Sequence, residues 1–225
     1  MYRSIALLIF LVTSCTGLSS SRYIVLYTQH NYKTSVCKVS IWKGGHGSGV
    51  AFKTNGNKTY ILTAGHVVEG QEKHPFILHY AKKGKDYTEI SFFVRKSYRD
   101  DLALLEVSDS QLDTLDLGPK DFSYLDDPGN PKSGKNVIAV GYMGPIYPPI
   151  MSMGRVLEVR PRMFLHTSGS YFGSSGGPVI DAESGAIVGI TVALYVYDDV
   201  ARSDRILAVN LEAIHEFLAE NERSR

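Results

Sequence analysis

The sequence predicts an all-β protein built from two antiparallel six-stranded β-barrels followed by a C-terminal α-helix. Short segments rich in β-forming residues alternate with turn clusters, and they fall into two series of about six. A polar stretch rich in proline and glycine, residues 126–135, separates the two series and is predicted to be a linker. The final segment, Leu211 to Glu220, has apolar residues at helical spacing, which predicts an amphipathic helix.

Each barrel is predicted from apolar or alternating runs bounded by turn signals. In the first barrel, residues 36–125, the expected strands are Val36–Trp42, Gly49–Phe52, Tyr60–Thr63, Phe76–Ala81, Ile90–Val94 and Leu102–Val107. In the second barrel with its terminal helix, residues 136–225, they are Val137–Tyr142, Arg155–Val159, Met163–Thr167, Val179–Ile180, Ala186–Ala193 and Ile206–Val209. No repeat of 20–50 residues is visible, which argues against solenoids and propellers.

Composition excludes several classes of protein. The 225 residues are 44% hydrophobic and 21% charged, as in an ordinary globular protein, which argues against wholesale disorder. Lys plus Arg number 24 and Asp plus Glu number 23, for a net charge of +1. Because nucleic-acid binders normally carry a basic excess, no nucleic-acid partner is expected. Two cysteines allow at most one bridge, so a disulfide scaffold is excluded.

Residues 1–14 have the features of an export signal. A positive charge at Arg3 precedes an apolar run from Ile5 to Val12, which is far shorter than the ~20 residues that span a bilayer. The next residues, Val12-Thr13-Ser14-Cys15, resemble the lipobox of bacterial lipoproteins. That resemblance implies an acylated Cys15 as a membrane anchor in the cell envelope, with residues 15–35 as a tether. The alternative is a plain signal peptide with Cys15 near the cut by chance.

Three short motifs carry residues suited to acyl transfer. His66 follows an apolar strand, and its side chain can accept and return a proton at neutral pH. Asp101 stands at the entrance to the run Leu102–Val107, where a carboxylate can orient a histidine ring. Ser175 lies in a glycine-rich turn, residues 173–178. Taken singly, these residues also fit a structural histidine, a solvated turn and a hairpin.

The glycines around Ser175 have a chemical use of their own. They let the backbone turn tightly and bring a substrate close to the main chain. The same geometry can direct the amides of Gly173 and Ser175 at one point, which would form an oxyanion hole.

Together, Thr63-Ala64-Gly65-His66, residues 101–105 and residues 173–178 resemble, in order, the three signatures of trypsin-like serine peptidases of the chymotrypsin fold. The resemblance covers about residues 36–218. It implies that Ser175 attacks a peptide carbonyl, that His66 transfers the proton and that Asp101 orients His66. Asp100 is the rival for the acid role, and Asp101 is preferred because it directly precedes the apolar run, as the family pattern requires.

Two further segments are similar to bacterial HtrA/Deg-type peptidases: the glycine-led hairpin over residues 47–52 and the strand over residues 133–141. Such proteins usually continue into a PDZ domain. The sequence ends at Arg225, so we expect no PDZ domain to follow.

The resemblance also bears on activation and specificity. Many digestive members carry an aspartate before the nucleophile that pairs with a new N-terminus, whereas this chain has Ser174, so activation through that ion pair is not expected. The family's pocket-floor position falls on Gly169, and the neighbouring wall falls on Val192, Ala193 and Leu194. An uncharged floor and apolar walls imply cleavage after a small or medium apolar residue.

Other chemistries have weaker support in the sequence. Cys37 could serve as a nucleophile, but it lies within a predicted strand, where a buried structural thiol is favoured. No metal is expected, because no His-Glu-x-x-His or paired Cys-x-x-Cys motif occurs. The glycines of residues 44–49 suggest a hairpin rather than a phosphate loop, and no cofactor is implied. The rival function is a catalytically silent lipoprotein that keeps the peptidase fold and acts as a binding or immunity protein instead of cleaving a polypeptide substrate.

Overall fold

Twelve strands close into two six-stranded antiparallel barrels, which confirms the predicted fold class. The computed structural model describes residues 35–42, 44–53, 58–83, 85–108, 110–115, 117, 131–144, 149–197 and 200–223. The predicted signal peptide, Cys15 and the tether up to residue 34 lie outside these residues, as does the first half of the predicted linker, residues 126–130.

The first barrel is closed in the strand order β1-β2-β3-β6-β5-β4. Its strands are β1 (Val36–Ser40), β2 (His46–Lys53), β3 (Thr59–Ala64), β4 (Phe76–Lys82), β5 (Lys85–Ser97) and β6 (Leu102–Val107). The paired strands β3 and β6 are almost entirely buried, with Ile61 opposite Leu105 and Leu62 opposite Leu104. Continuous apolar runs suit such central strands because both faces are covered. His66 and Asp101 therefore flank the most buried strand pair of this barrel.

The second barrel is closed in the order β10-β11-β12-β9-β8-β7. Its strands are β7 (Asn136–Gly141), β8 (Ile150–Arg160), β9 (Met163–His166), β10 (Pro178–Asp181), β11 (Ile187–Tyr197) and β12 (Val200–Asn210). Strand β10 pairs with both β7 and β11. The glycine-rich turn that carries Ser175 ends where this short, buried strand begins, so the barrel core anchors the turn from one side.

Several strands extend beyond the hydrophobic segments that predicted them. The clearest case is β5, predicted as Ile90–Val94 and observed as Lys85–Ser97, because Lys85 to Glu89 pair with β4 across the hairpin. Strands β8, β11 and β12 are longer for a similar reason. Their added residues satisfy backbone hydrogen bonds in the ladder without having to be apolar. A hydrophobicity pattern detects burial, and it therefore misses the largely polar and exposed start of β5.

Two helices are present in the described residues: the single turn α1 (Gly65–Val68), which carries His66, and the C-terminal α2 (Leu211–Arg223). The Asn210 side chain caps α2 by accepting a hydrogen bond from the amide of Ala213 at 3.1 Å. The helix α2 packs on β11 and β12 of the second barrel and also contacts the first, where the guanidinium of Arg95 stands 4.9 Å from the Phe217 ring. None of the helices described reaches the length and apolarity needed to cross a membrane.

The core of the second barrel contains a fully buried histidine. His166 is completely buried beside Phe164, and neither ring nitrogen has a hydrogen-bond partner among the described residues. Burial lowers the pKa of His166 to about 3. Between pH 6.5 and about 3, the unfolded chain therefore binds a proton that the folded chain does not. This difference makes the folded state progressively less stable as the pH falls through that window.

We expect His166→Leu to weaken the acid sensitivity of folding. The wild type should lose up to about 1.4 kcal/mol of unfolding free energy per pH unit more than the variant below pH 6.5. Denaturant unfolding at several pH values between 7 and 4 measures this difference in slope. The control is Phe164→Leu, which changes the same core without removing a titrating group and should keep the wild-type slope. Equal slopes for wild type and His166→Leu would contradict the prediction.

Candidate active site

His66 and Asp101 are joined by two hydrogen bonds. The Asp101 Oδ2 atom lies 2.6 Å from His66 Nδ1, and Oδ1 accepts a hydrogen bond of 2.7 Å from the backbone amide of His66. Because an ionised carboxylate only accepts hydrogen bonds, the shared ring proton belongs to Nδ1. The neutral ring then presents Nε2 as a free base. The carboxylate therefore fixes both the ring orientation and the tautomer.

The backbone around Asp101 is shaped for this contact. Asp101 has φ of 51°, a left-handed conformation that aspartate tolerates better than most residues. Its carbonyl accepts a hydrogen bond of 2.7 Å from the amide of Gly65. A Cβ at Gly65 would lie 2.9 Å from Asp101 Oδ1, so the glycine before His66 leaves room for the carboxylate. The glycine of the Ala64-Gly65-His66 sequence therefore allows the close approach of the Asp101 carboxylate and also suits the turn.

The hydrogen bond to Asp101 raises the pKa of His66 above its ordinary value, and this effect outweighs the opposing effect of burial. The Asp101 charge and the more distant Glu69 act in the same direction. The His66 side chain is 45% exposed, so the ring is accessible from solvent. The pair can accept a proton from a neighbouring hydroxyl and hold the resulting imidazolium.

The turn that carries Ser175 is bound to the first barrel. The Ser175 carbonyl accepts a hydrogen bond of 2.7 Å from the amide of Ser48 in β2. The following Gly176, with φ of +88°, has no room for a side chain, because a Cβ would overlap the Ser48 carbonyl and the Thr63 hydroxyl. On its other side, Gly176 donates a hydrogen bond of 2.7 Å to the carbonyl of Thr191 in β11. Both barrels therefore fix the position of Ser175.

The structure brings Ser175 to the same end of β2 and β3 as His66. Gly47 separates the two, since a Cβ there would lie 2.5 Å from Val67 Cγ2 and 2.9 Å from the Ser175 carbonyl. Within the described part of the chain, the Ser175 hydroxyl and the His66 ring do not form a hydrogen bond with each other. Such contacts are often long in peptidases without substrate and shorten when substrate binds.

The loop before Ser175 has an orderly set of hydrogen bonds. The Tyr171 carbonyl accepts from the Ser174 amide at 3.0 Å and from the Ser174 hydroxyl at 2.8 Å. The Phe172 carbonyl accepts from the Gly144 amide at 2.7 Å, and the Gly173 carbonyl accepts from the Ser48 hydroxyl at 2.7 Å. Three successive carbonyls thus point at donors in their surroundings.

The amides on either side of Ser174 remain available as donors. Those of Gly173 and Ser175 donate no hydrogen bond to any described residue, whereas the amides of Ser174, Gly176 and Gly177 each have a carbonyl partner. Two amides that lack a hydrogen-bond partner among the described residues, one on each side of Ser174, are the arrangement needed to bind a developing oxyanion.

Ser48 contacts the loop before Ser175, and the sequence reasoning missed this residue. Its buried hydroxyl donates to the Gly173 carbonyl and accepts a hydrogen bond of 2.8 Å from the Tyr142 amide. Ser48 therefore links β2 with the loop of the second barrel that supplies the free amides. The available signal was a serine between Gly47 and Gly49, directly before the apolar residues Val50–Phe52. The Ser48 hydroxyl, on the Gly173 carbonyl, and the Ser174 hydroxyl, on the Tyr171 carbonyl, together hold the loop before Ser175.

The rival candidates occupy other positions. The Asp100 carboxylate faces Arg162, at 2.7 Å and 2.9 Å, and not His66. Cys37 is a free, fully buried thiol whose pKa is raised by burial, as a structural role predicts. Gly44 and Gly45 form the β1–β2 turn that the hairpin interpretation of residues 44–49 predicts. In the residues that the structure describes, no group of three or more His, Cys, Asp or Glu side chains is arranged to hold a metal ion.

The residues expected at the specificity pocket lie next to the serine turn along β11. Thr191 pairs with the turn through the Gly176 and Gly177 backbones, and Val192, Ala193 and Leu194 follow it. The register shifts between Thr191 and Ala193, a local irregularity that changes which way side chains point. Val192 is buried, Ala193 is exposed and Leu194 is half-buried. Gly169 is buried in the loop between β9 and β10.

The two barrels, the His66–Asp101 pair and the glycine-rich serine turn are the features of a trypsin-like peptidase of the chymotrypsin fold. A family model for the trypsin-like peptidase domain matches residues 47–190, and the chain belongs to that family. Two curated proteins of Bacillus subtilis (strain 168) are similar to it. The serine protease Do-like HtrB is 32% identical over 157 residues, 64% of this chain and 31% of that protein. The serine protease Do-like HtrA is 30% identical over 173 residues, 70% of this chain and 35% of that protein.

The matched region thus spans about a third of the length of these relatives. Solved structures share the fold. A serine endoprotease from Yersinia pestis aligns with a TM-score of 0.69 at 19% identity, covering 86% of this chain and 64% of that one. The MamO protease domain from Magnetospirillum magneticum aligns with a TM-score of 0.66 at 20% identity, covering 84% and 98%.

Proposed function

We propose that this protein is a serine endopeptidase that cleaves polypeptides through a covalent acyl-enzyme. The observation that carries the proposal is the double hydrogen bond between Asp101 and His66, which leaves His66 Nε2 as a free base. Membership in the trypsin-like peptidase family supports the same reaction.

In the proposed reaction, the Ser175 hydroxyl attacks the substrate carbonyl while His66 Nε2 takes its proton. The negative charge that develops on the carbonyl oxygen is stabilised by the amides of Gly173 and Ser175. His66 then gives its proton to the leaving amine, and a water molecule hydrolyses the acyl-enzyme with His66 again acting as the base. Throughout, Asp101 holds the ring and stabilises the imidazolium.

Specificity and location form the finer part of the proposal. Gly169 offers no charge to pair with Lys or Arg, and Val192, Ala193 and Leu194 are apolar, so a small or medium apolar residue is proposed before the cleaved bond. Efficient cleavage only after arginine in a peptide library would overturn this preference. For location, we propose export to the cell envelope, with Cys15 as the lipid anchor.

A fluorophosphonate probe tests the proposed function without knowledge of the natural substrate. The probe phosphonylates a serine only when a base activates its hydroxyl and donors stabilise the oxyanion. We expect the folded wild type to be labelled and Ser175→Ala to lose labelling. The control Ser133→Ala removes an exposed hydroxyl outside the site and should be labelled like the wild type. A well-folded wild-type protein that is never labelled would instead support a silent binding protein.

A further inference from the structure

Two neighbouring aspartates in the β5–β6 turn point in opposite directions. The Asp101 carboxylate contacts His66, whereas the Asp100 carboxylate turns inward and is only 3% exposed. The Nε atom of Arg162 donates to Asp100 Oδ1 at 2.7 Å, and its Nη2 atom donates to Oδ2 at 2.9 Å. This forked contact fixes the plane of the Asp100 carboxylate as well as its position.

Arg162 belongs to a different part of the fold. It lies in the β8–β9 turn of the second barrel with φ of +72°, which is rare for arginine. Its carbonyl accepts a hydrogen bond of 2.9 Å from the amide of Asn210, the residue that caps α2. Its Nη1 atom also donates to Glu216 of α2 at 2.5 Å. Asp100, Arg162 and Glu216, called here the clamp, therefore join the first barrel, the second barrel and the C-terminal helix.

The clamp keeps a charged group stable in a buried position. Burial by itself would raise the pKa of Asp100, but the Arg162 guanidinium outweighs this effect and the pKa is lowered. Ser97 and Arg99 are the other polar groups that face Asp100. Without Arg162, the buried carboxylate would lose its forked partner and would be drawn towards water. A displacement of Asp100 would also displace the adjacent Asp101, whose left-handed backbone directs its carboxylate at His66.

We propose that Arg162 is a positioning residue for the active site, which acts through Asp100 to hold the Asp101 carboxylate against His66. This inference rests on the proposed peptidase function. In consequence, the packing of α2 and the junction of the two barrels help to set the basicity of His66. The charged groups that act on His66 directly are Asp101 and, at longer range, Glu69.

The test compares Arg162→Gln with Arg160→Gln. Arg160 lies two residues away at the end of β8 and makes an exposed ion pair with Glu158, so it is a matched change that leaves the clamp intact. We expect Arg162→Gln to slow fluorophosphonate labelling by ~10–100-fold, the range expected when a reacting group is displaced by about 1 Å. Arg160→Gln should label at the wild-type rate. Arg162→Lys should recover only part of the loss, because an ammonium cannot form the fork.

A second readout separates positioning from simple stabilisation. The low-field proton resonance of His66 Nδ1 and the pH titration of the ring report on the Asp101 contact whether or not the enzyme reacts. We expect Arg162→Gln to weaken that resonance and to lower the pKa of His66. A variant that melts at a lower temperature but keeps the His66 titration and a labelling rate within twofold of Arg160→Gln would overturn the proposal.

A third variant keeps the test decisive if Arg162→Gln does not fold. Glu216→Gln removes one partner of Arg162 without leaving a buried charge, and it should shift labelling and the His66 resonance in the same direction by a smaller amount. No shift in Glu216→Gln would then overturn the inference. Failure of the proposed function looks different: the wild type is not labelled, while the His66 resonance still reports whether the clamp acts on Asp101.

Discussion

Asp101→Asn is expected to slow turnover by ~10⁴-fold while leaving the fold intact. The asparagine oxygen can still accept the hydrogen bond from the His66 backbone amide, and its NH₂ group then replaces Oδ2 and donates to the ring at Nδ1. The ring proton then moves to Nε2, which can no longer take a proton from Ser175. Hydrolysis of an unselective protein substrate and the rate of fluorophosphonate labelling both measure the loss. Ring titration should also show a lower pKa of His66, because the hydrogen bond that raises it is gone.

The neighbouring Asp100→Asn variant is the control for Asp101→Asn. It removes the same charge one residue away but leaves the carboxylate that contacts His66. Its expected loss is the smaller one predicted for the clamp, ~10–100-fold. Full activity in Asp101→Asn together with severe loss in Asp100→Asn would reverse the assignment of the two residues.

Gly173→Ala is expected to slow labelling and turnover by ~10²–10³-fold, the effect of losing one oxyanion donor. Gly173 has φ of +95°, and a Cβ there would overlap the Tyr142 carbonyl and the His46 ring. The loop must shift to relieve the overlap, and the Gly173 amide then turns away from the reacting oxygen. Labelling kinetics measure the result, and circular dichroism checks that the barrels remain folded.

Gly134→Ala provides a matched control for Gly173→Ala. Gly134 also has a positive φ, +86°, but no atom of the described residues lies within 4 Å of the position that a Cβ would occupy. Its substitution therefore carries the backbone strain of about 1–3 kcal/mol without the steric overlap. We expect a lower unfolding free energy and an unchanged labelling rate. If both alanine variants slowed labelling equally, strain and not the geometry of the free amides would explain the effect.

The two-barrel fold could be predicted because its central strands have a strong local signal. Leu102–Val107 is observed with the predicted bounds, and β3 differs from its prediction by one residue at each end. The first half of β5 could not be predicted in this way. Its residues are mostly polar and exposed, and they become a strand because β4 lies beside them.

The candidate site also has a part that the sequence could predict and a part that depends on the tertiary structure. His66, Asp101 and Ser175 could be selected because their three motifs, each weak alone, together match the order of the signatures of trypsin-like peptidases. The preference for Asp101 over Asp100 also rested on that resemblance, since the family pattern places the acid directly before the apolar run. The specificity pocket is less accessible to this reasoning, because the direction of Val192 and Ala193 depends on an irregularity in the pairing of β11 with β12.

By itself, the sequence determined the two series of strands, the terminal helix and the three residues chosen for catalysis, because burial and turn chemistry act over a few residues. Only the tertiary structure decided what holds those residues in place. The Ser48 hydroxyl meets Gly173 across 125 residues, and Arg162 meets Asp100 across 62. Such contacts depend on how the barrels and α2 come together, and no local pattern contains that information.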